Sequence, residues 1–350
     1  MGDLPQLLLA RPSLQRLYVQ VLNLALLPQQ LRHLRHHQWL ADPRVTLFYS
    51  ITEQQPYQPC AVATGDLLCG DSAMEPLRDR LHLALNQPFI SARHQLTQSH
   101  PAVIEELEAR AEDEDVRELW RSRWPQRAWV VAAGPSLEES WPLIKRWRRP
   151  GEPVVAVDAA AALLVSHQLV PDVVVAIDGR SAELFTPQLY QALAASALVH
   201  FPSLDPVVLR NWQGPCYRAL GSAAQFDTAY QQRPATRLFC SGSVVHPAID
   251  LCRQAGARQL MLAGVDFAFS EEATHAGRNL DQGYHLTPED ATHTVVGWHG
   301  QRLKTWANFK GYLRDLESYL CQQPQLRCLL LSDRGAAIAG CELWPGEEHG

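Results

Sequence analysis

The chain has no C-x-x-C pair, no apolar run near the ~20 residues that cross a bilayer, and no excess of positive charge. Each absence removes a class. Its eight cysteines are scattered at positions 60, 69, 216, 240, 252, 321, 328 and 341, which excludes a disulfide-stapled secreted scaffold and a zinc ribbon. They read as reduced thiols in a reducing compartment. Arg11 and Arg16 interrupt the early leucines, so no export signal is expected, and the expected location is cytoplasmic, without a membrane span. A formal net charge of -6 gives no electrostatic footprint for nucleic acid, which is not an expected partner. Neither a Walker A loop nor G-x-G-x-x-G occurs, so no common nucleotide fingerprint labels the chain.

What is present is globular. Hydrophobic residues make up 46% against 19% charged, and 350 residues suffice for one large domain or two ordinary ones. From Ser13 to Leu40 the spacing of Leu14, Leu17, Val21 and Leu22 predicts helix, divided in two by Pro28. Extended segments are expected at Val45 to Ile51, Ala61 to Thr64 and Leu67 to Cys69, and a helix from Met74 to Leu85. The acidic stretch from His100 to Trp124 reads as a connecting helix with a solvated face. Residues 1–125 are thus expected to form an α+β module with its connecting helix.

Beyond Arg127 the texture changes. Short apolar runs, Trp129–Ala133, Val154–Val157, Val173–Ile177, Leu198–Phe201, Leu260–Ala263 and Cys328–Leu331, alternate with helical stretches at Ser136–Trp147, Ala159–His167, Val244–Ala255 and Thr305–Leu320. Apolar runs too short for helices, set between amphipathic helices, predict a mostly parallel sheet with helices on both faces. The expected fold class is therefore α/β, with a Rossmann-like domain over 126–350 preceded by the smaller α+β module. Such sheets bind ligands at the carboxyl ends of their strands.

Four features converge there. The first strand ends in Gly134-Pro135-Ser136-Leu137, where Ser136 with Glu139 three positions on predicts a capping box, and the open helix start predicts a phosphate site. Three further strands end in Asp158, Asp178 and Asp266, suited to ribose hydroxyls, a metal or base chemistry. Ser241-Gly242-Ser243 opens a later helix as a second candidate anion or hydroxyl site. Asp172 lies at the other end of its strand and reads as a turn residue. His33, His36 and His37 lack carboxylate or thiol partners nearby and read as a solvated face, whereas His275, His285, His293 and His299 fall in the loop-rich region after Asp266, where a mobile cover with a general base would belong. The metal content is left open.

Ala133-Gly134-Pro135-Ser136-Leu137, Val155 to Asp158, Leu169 to Asp178, Gly264-Val265-Asp266-Phe267, Thr274-His275-Ala276-Gly277, Thr305 with Phe309, and Gly335 to Gly340 together resemble the motility accessory factor glycosyltransferases. Ala132 departs from that pattern, standing where the family often has a glycine. The shared domain is also similar to hydroxymethylpterin pyrophosphokinases and, more remotely, to CMP-sialic-acid-dependent sialyltransferases. The resemblance implies transfer of a nonulosonic acid from its CMP-activated form to Ser or Thr hydroxyls of flagellin, or to another protein or glycan acceptor. With the residue reading above, it gives nucleotide and substrate contacts at Gly134, Ser136, Leu137, Asp158, Asp178, Ser241, Gly242, Ser243 and Asp266, the resemblance itself implying the CMP phosphate at Gly134 to Ser136, the nucleotide or sugar at Asp178, and His299 and His275 as catalytic candidates beside Asp178. No tightly bound cofactor is expected; magnesium and homo-oligomerisation are both compatible with it. Two other functions stay open: a magnesium- and ATP-dependent 6-hydroxymethylpterin pyrophosphokinase, and a non-catalytic flagellar assembly protein.

Overall fold

The computed structural model describes residues 4–33, 38–50, 59–85, 113–121, 124–222, 226–270, 275–276, 291 and 293–346. His36, His37, His285 and the acidic run from Glu105 to Glu112 lie outside them. The chain divides into two compact units, Met1–Ile90 and Ser91–Gly350.

In the first unit, strands β1 (Leu17–Gln20) and β2 (Val45–Phe48) pair in parallel, Leu17 against Val45 through Gln20 against Phe48. Helices cover Leu4–Leu9, Leu27–His33 and Thr64–Leu68, and residues 75–85 are helical. Two expectations fail here. The helix through Leu17 and Val21 is a strand, because the spacing of Leu14, Leu17 and Val21 suits either period and pairing with Val45–Phe48 decides it. Leu67 and Leu68 belong to a helical turn rather than an extended segment, with Leu67 buried in a small core beside Leu22, Met74, Leu77 and Leu81.

The second unit is built on nine parallel strands: β3 (Glu114–Asp115), β4 (Arg127–Val131), β5 (Val154–Val157), β6 (Val173–Ala176), β7 (Ala197–His200), β8 (Cys216–Arg218), β11 (Gln259–Ala263), β14 (Arg327–Leu330) and β15 (Cys341–Leu343). Their order is β15-β14-β11-β4-β5-β6-β7-β8-β3. Small pairs add β9 (Leu220–Gly221) with β10 (Arg237–Leu238), and the antiparallel β12 (His293–Val296) with β13 (Arg302–Thr305). Glu114–Trp120, expected in the connecting helix, instead forms the edge strand β3 and a 3-10 turn. Asp115 accounts for the difference: its carboxylate accepts from the Thr236 amide and hydroxyl, both at 2.7 Å, and from the Arg117 amide at 2.9 Å.

Strands β4 to β7 are buried at every position, as the continuous apolar runs require. Val173 and Val175 pack into the main core, whereas Val174 and Ala176 face a second one with Phe185, Leu189, Leu193, Leu209 and Trp212, so both faces of the sheet are covered. The strand order turns back between β4 and β11. In an open parallel sheet that reversal opens a crevice at the carboxyl ends. At the opposite edge Asp172 accepts from the Val154 amide and the Arg148 guanidinium, the turn role its position implied.

Candidate functional site

Gly134 follows β4, and Asp266 lies just beyond β11, the adjacent strand across the reversal. The Asp266 carboxylate accepts from the Ser136 amide at 2.7 Å and from the Ser136 hydroxyl at 2.5 Å. The two donors that the sequence offers to a phosphate are therefore held by a carboxylate of the chain itself. Leu137 is fully buried, and its amide donates to the Gly134 carbonyl. Gly134 is required by this contact, because a Cβ there would lie 2.5 Å from both Asp266 Oδ2 and the Gly264 carbonyl oxygen. The capping box does not form. Ser136 has helical backbone angles and makes no side-chain cap bond, while Glu139 turns away to Ser332 and Arg334. The turn after Asp266 is strained: Phe267 has φ +47°, and its carbonyl is held by the buried Thr305 hydroxyl at 2.7 Å.

Burial pushes the Asp266 carboxyl up to about 6, against the pull of the two Ser136 bonds, and the charge of Glu139 adds to the rise. A folded value above the unfolded 3.8 means that the native state holds the proton more tightly. This group therefore favours folding fully below 3.8, and the contribution is lost as pH rises through about 6. Asp266→Asn removes it, so the variant should gain stability relative to the parent between pH 4 and 7, by on the order of 3 kcal/mol. Urea melts at both ends of that range check this, and a constant difference would show that the carboxyl is not raised.

A second cluster follows β5 and β6. Asp158 is buried; its carboxylate accepts from the Ser181 hydroxyl at 2.5 Å and the Ala159 amide at 2.8 Å. Burial raises it to about 6, with the charge of neighbouring Asp178 contributing. Asp178 is half-buried, and its Oδ1 accepts from the Arg180 amide at 2.9 Å. Two carboxylates are thus brought together at adjacent strand ends, one held towards its neutral form.

The Ser241-Gly242-Ser243 loop is tied to the Ala307–Cys321 helix. The Ser241 hydroxyl donates to Asp315 at 2.5 Å, and a Cβ on Gly242, whose φ is +87°, would lie 2.2 Å from the Tyr312 ring. The Tyr312 hydroxyl is pushed up by burial, with the charge of Asp178 adding to the rise. Beneath the loop His246 is fully buried, with Nε2 3.0 Å from the Tyr312 carbonyl oxygen. Burial lowers it to about 4, so it is neutral at ordinary pH. Sequence reasoning missed Tyr312 and His246. A histidine in the first turn of a helix opened by Ser-Gly-Ser was the available signal for His246; Tyr312 offered none before the helices packed.

His275 is half-buried with its ring against Phe309, and the amide of Ala276 donates to the Ala133 carbonyl, fixing this segment beside the Gly134 turn. His299 stands in the turn between β12 and β13. Gly297 bridges to Ala336 and the Ala337 amide donates to Val296, so the hairpin rests on the segment linking β14 and β15. That contact puts His299 Nε2 2.6 Å from Asp333 Oδ2, both side chains exposed, and the bond from His299 holds the Asp333 carboxyl below its usual range. Asp333 was also missed. The same segment reaches the first cluster, since Ser332 and Arg334 bond Glu139 and Gly335 lies against Asp266. His293 lies at the start of β12.

A parallel sheet whose strand order reverses beside β4, with both faces covered, defines a Rossmann-like α/β domain. Residues 102–272 match the family model described as 6-hydroxymethylpterin diphosphokinase MptE-like. Among solved structures it is similar to the MAf glycosyltransferase from Magnetospirillum magneticum AMB-1, at 17% identity and a TM-score of 0.48, over 64% of this chain and 34% of that one. The match spans about a third of that protein. No curated protein matches the chain in sequence. No helix among the described residues is long and apolar enough to cross a membrane.

Proposed function

We propose that the chain is a cytoplasmic glycosyltransferase that moves a nonulosonic, sialic-acid-like sugar from its CMP-activated form to Ser or Thr hydroxyls of flagellin. The observation that carries the reading is the His299–Asp333 pair. With its Nε2 proton directed at the carboxylate, His299 keeps a lone pair on Nδ1 that can take the proton of an acceptor hydroxyl. The freed oxygen then attacks the anomeric carbon with inversion, and CMP departs with the bonding electrons on its phosphate. Asp178 and the Ser241–Ser243 loop, with Tyr312 packed against Gly242, are the proposed nucleotide and sugar contacts. Ser136 reaches the phosphate only if Asp266 yields its two bonds.

The matching family model and the paired aspartates favour a second reading, a pyrophosphokinase acting on a hydroxymethylpterin. Asp158 and Asp178 would then hold magnesium on the ATP phosphates, a role that one or two carboxylates can fill. Thermal shift with CMP, CDP, ATP and GTP, each with and without Mg²⁺, separates the two. The expected result is stabilisation by the cytidine nucleotides, abolished in Asp178→Asn. Stabilisation by ATP alone, and only with Mg²⁺, would select the pyrophosphokinase; no response to any nucleotide would point to a non-catalytic assembly protein.

A further inference from the structure

The Met1–Ile90 unit, which the reading above leaves without a task, contains a cavity of about 620 Å³. That volume lies in the range of small-molecule sites, roughly 300–1,000 Å³. Leu8, Leu17, Leu22, Phe48, Val62 and Leu77 contribute to its largely apolar wall. Such a pocket holds apolar surface against solvent, which an apolar guest would cover.

The charges in the lining are uneven. Asp66, its acidic member, is bonded by Gln30 Nε2 at 3.4 Å. Arg11 and Arg16 line the cavity and are exposed, which places them at its opening, and no ion pair or side-chain hydrogen bond engages either among the described residues. The segment that carries Arg11 is nevertheless fixed. Arg44, paired with Asp42 at 2.8 Å, donates to the carbonyls of Leu9 at 3.2 Å and Leu14 at 3.3 Å. Two unengaged guanidinium groups on a braced rim, above an apolar chamber, complement a molecule with one charged end and one long apolar end.

We propose that this unit binds a single-chain amphiphile with an anionic head, its chain in the cavity and its head on Arg11 and Arg16. A fatty carboxylate and a long-chain phosphate monoester share that chemistry. The site is independent of the sugar-transfer reading, so failure of either leaves the other standing.

Calorimetric titration of the full-length chain with octanoate, decanoate, dodecanoate, dodecyl phosphate and dodecanol, all below their micelle concentrations, tests it. A methylene buried at about 0.8 kcal/mol is worth about fourfold in Kd, so affinity should rise by about that factor per carbon until the cavity is full. Dodecanol should bind at least tenfold more weakly than dodecanoate. The double variant Arg11→Ala with Arg16→Ala, on the surface and so safe for folding, should weaken both anionic ligands about tenfold and leave dodecanol unchanged. Val62→Trp, verified as folded by circular dichroism, should block all three twelve-carbon ligands. Tighter binding of the phosphate or of the carboxylate supports the site and names the source. Equal affinity for dodecanol and dodecanoate, no dependence on chain length, or wild-type binding by the arginine variant would each overturn the proposal.

Discussion

Glu152→Ala is expected to lower the stability of the sheet-bearing unit by about 3–5 kcal/mol in chemical denaturation, the range for removing one partner of a buried ion pair. The carboxylate sits at the amino end of the sheet, opposite the edge that carries Asp158, Asp178 and Asp266. It accepts from Arg127 Nε at 2.7 Å, Trp129 Nε1 at 2.8 Å and the Arg149 amide at 3.1 Å. Both ends of the pair are nearly inaccessible, with side chains 10% and 7% exposed. Removing the acid takes the counter-charge from a buried guanidinium, which keeps its bond to the Trp147 carbonyl, and the acceptor from the Trp129 indole N–H, whereas Glu152→Gln keeps the shape and should cost less. Burial pushes this carboxyl up, but the three donors outweigh it and the net shift is downward. Its contribution is therefore present above the unfolded value of 4.5 and lost as pH falls through the folded one, so the deficit of the alanine variant should narrow in acid. A deficit below about 1 kcal/mol at pH 7 would mean that water reaches the pair and screens it.

His299→Ala should reduce sugar transfer by roughly 10²–10⁴-fold while nucleotide affinity stays within a factor of two, since a general base acts on the acceptor and not on the nucleotide. Asp333→Asn should also lower transfer, because the amide no longer fixes the tautomer of His299 or stabilises the cation formed when the proton arrives. Transfer from a CMP-activated sugar to flagellin, measured beside nucleotide affinity, reads both. Full activity in His299→Ala would move the base to His275 or a carboxylate. Unchanged activity in Asp333→Asn alongside a dead His299→Ala would leave the histidine in place and reduce Asp333 to a surface contact.

The sheet was legible because burial on both faces leaves a plain mark: Val154–Val157 can be little else than a central parallel strand. The six apolar runs beyond Arg127 fall on observed strands to within two residues at either end. Shorter elements left no such mark. Cys216–Arg218 is only half-buried and the β12–β13 hairpin mixes polar with apolar positions, so neither shows a clean period. The candidate site was legible as a set of residues but not as a set of partners. Gly134, Asp158, Asp178 and Asp266 lie at strand ends because topology puts them there. That Ser136 would spend its amide and hydroxyl on Asp266, 130 positions away, depends on β11 inserting beside β4. Local rules favoured a capping box with Glu139, and a tertiary bond displaced it.

The placement of β11 also governs when the molecule can assemble. Strand β4 lies between β5, which follows it closely, and β11, which ends at Ala263. A nascent chain can zip β4 through β8 together while the other edge of β4, its backbone amides and carbonyls unpaired, still waits for its neighbour. At roughly 5–20 residues per second the ribosome needs between roughly 7 and 26 s to travel from Val131 to Ala263. Throughout that interval a half-sheet is exposed to wrong partners. The protein should therefore engage chaperones during synthesis, and slowing translation between those two points should lower its soluble yield.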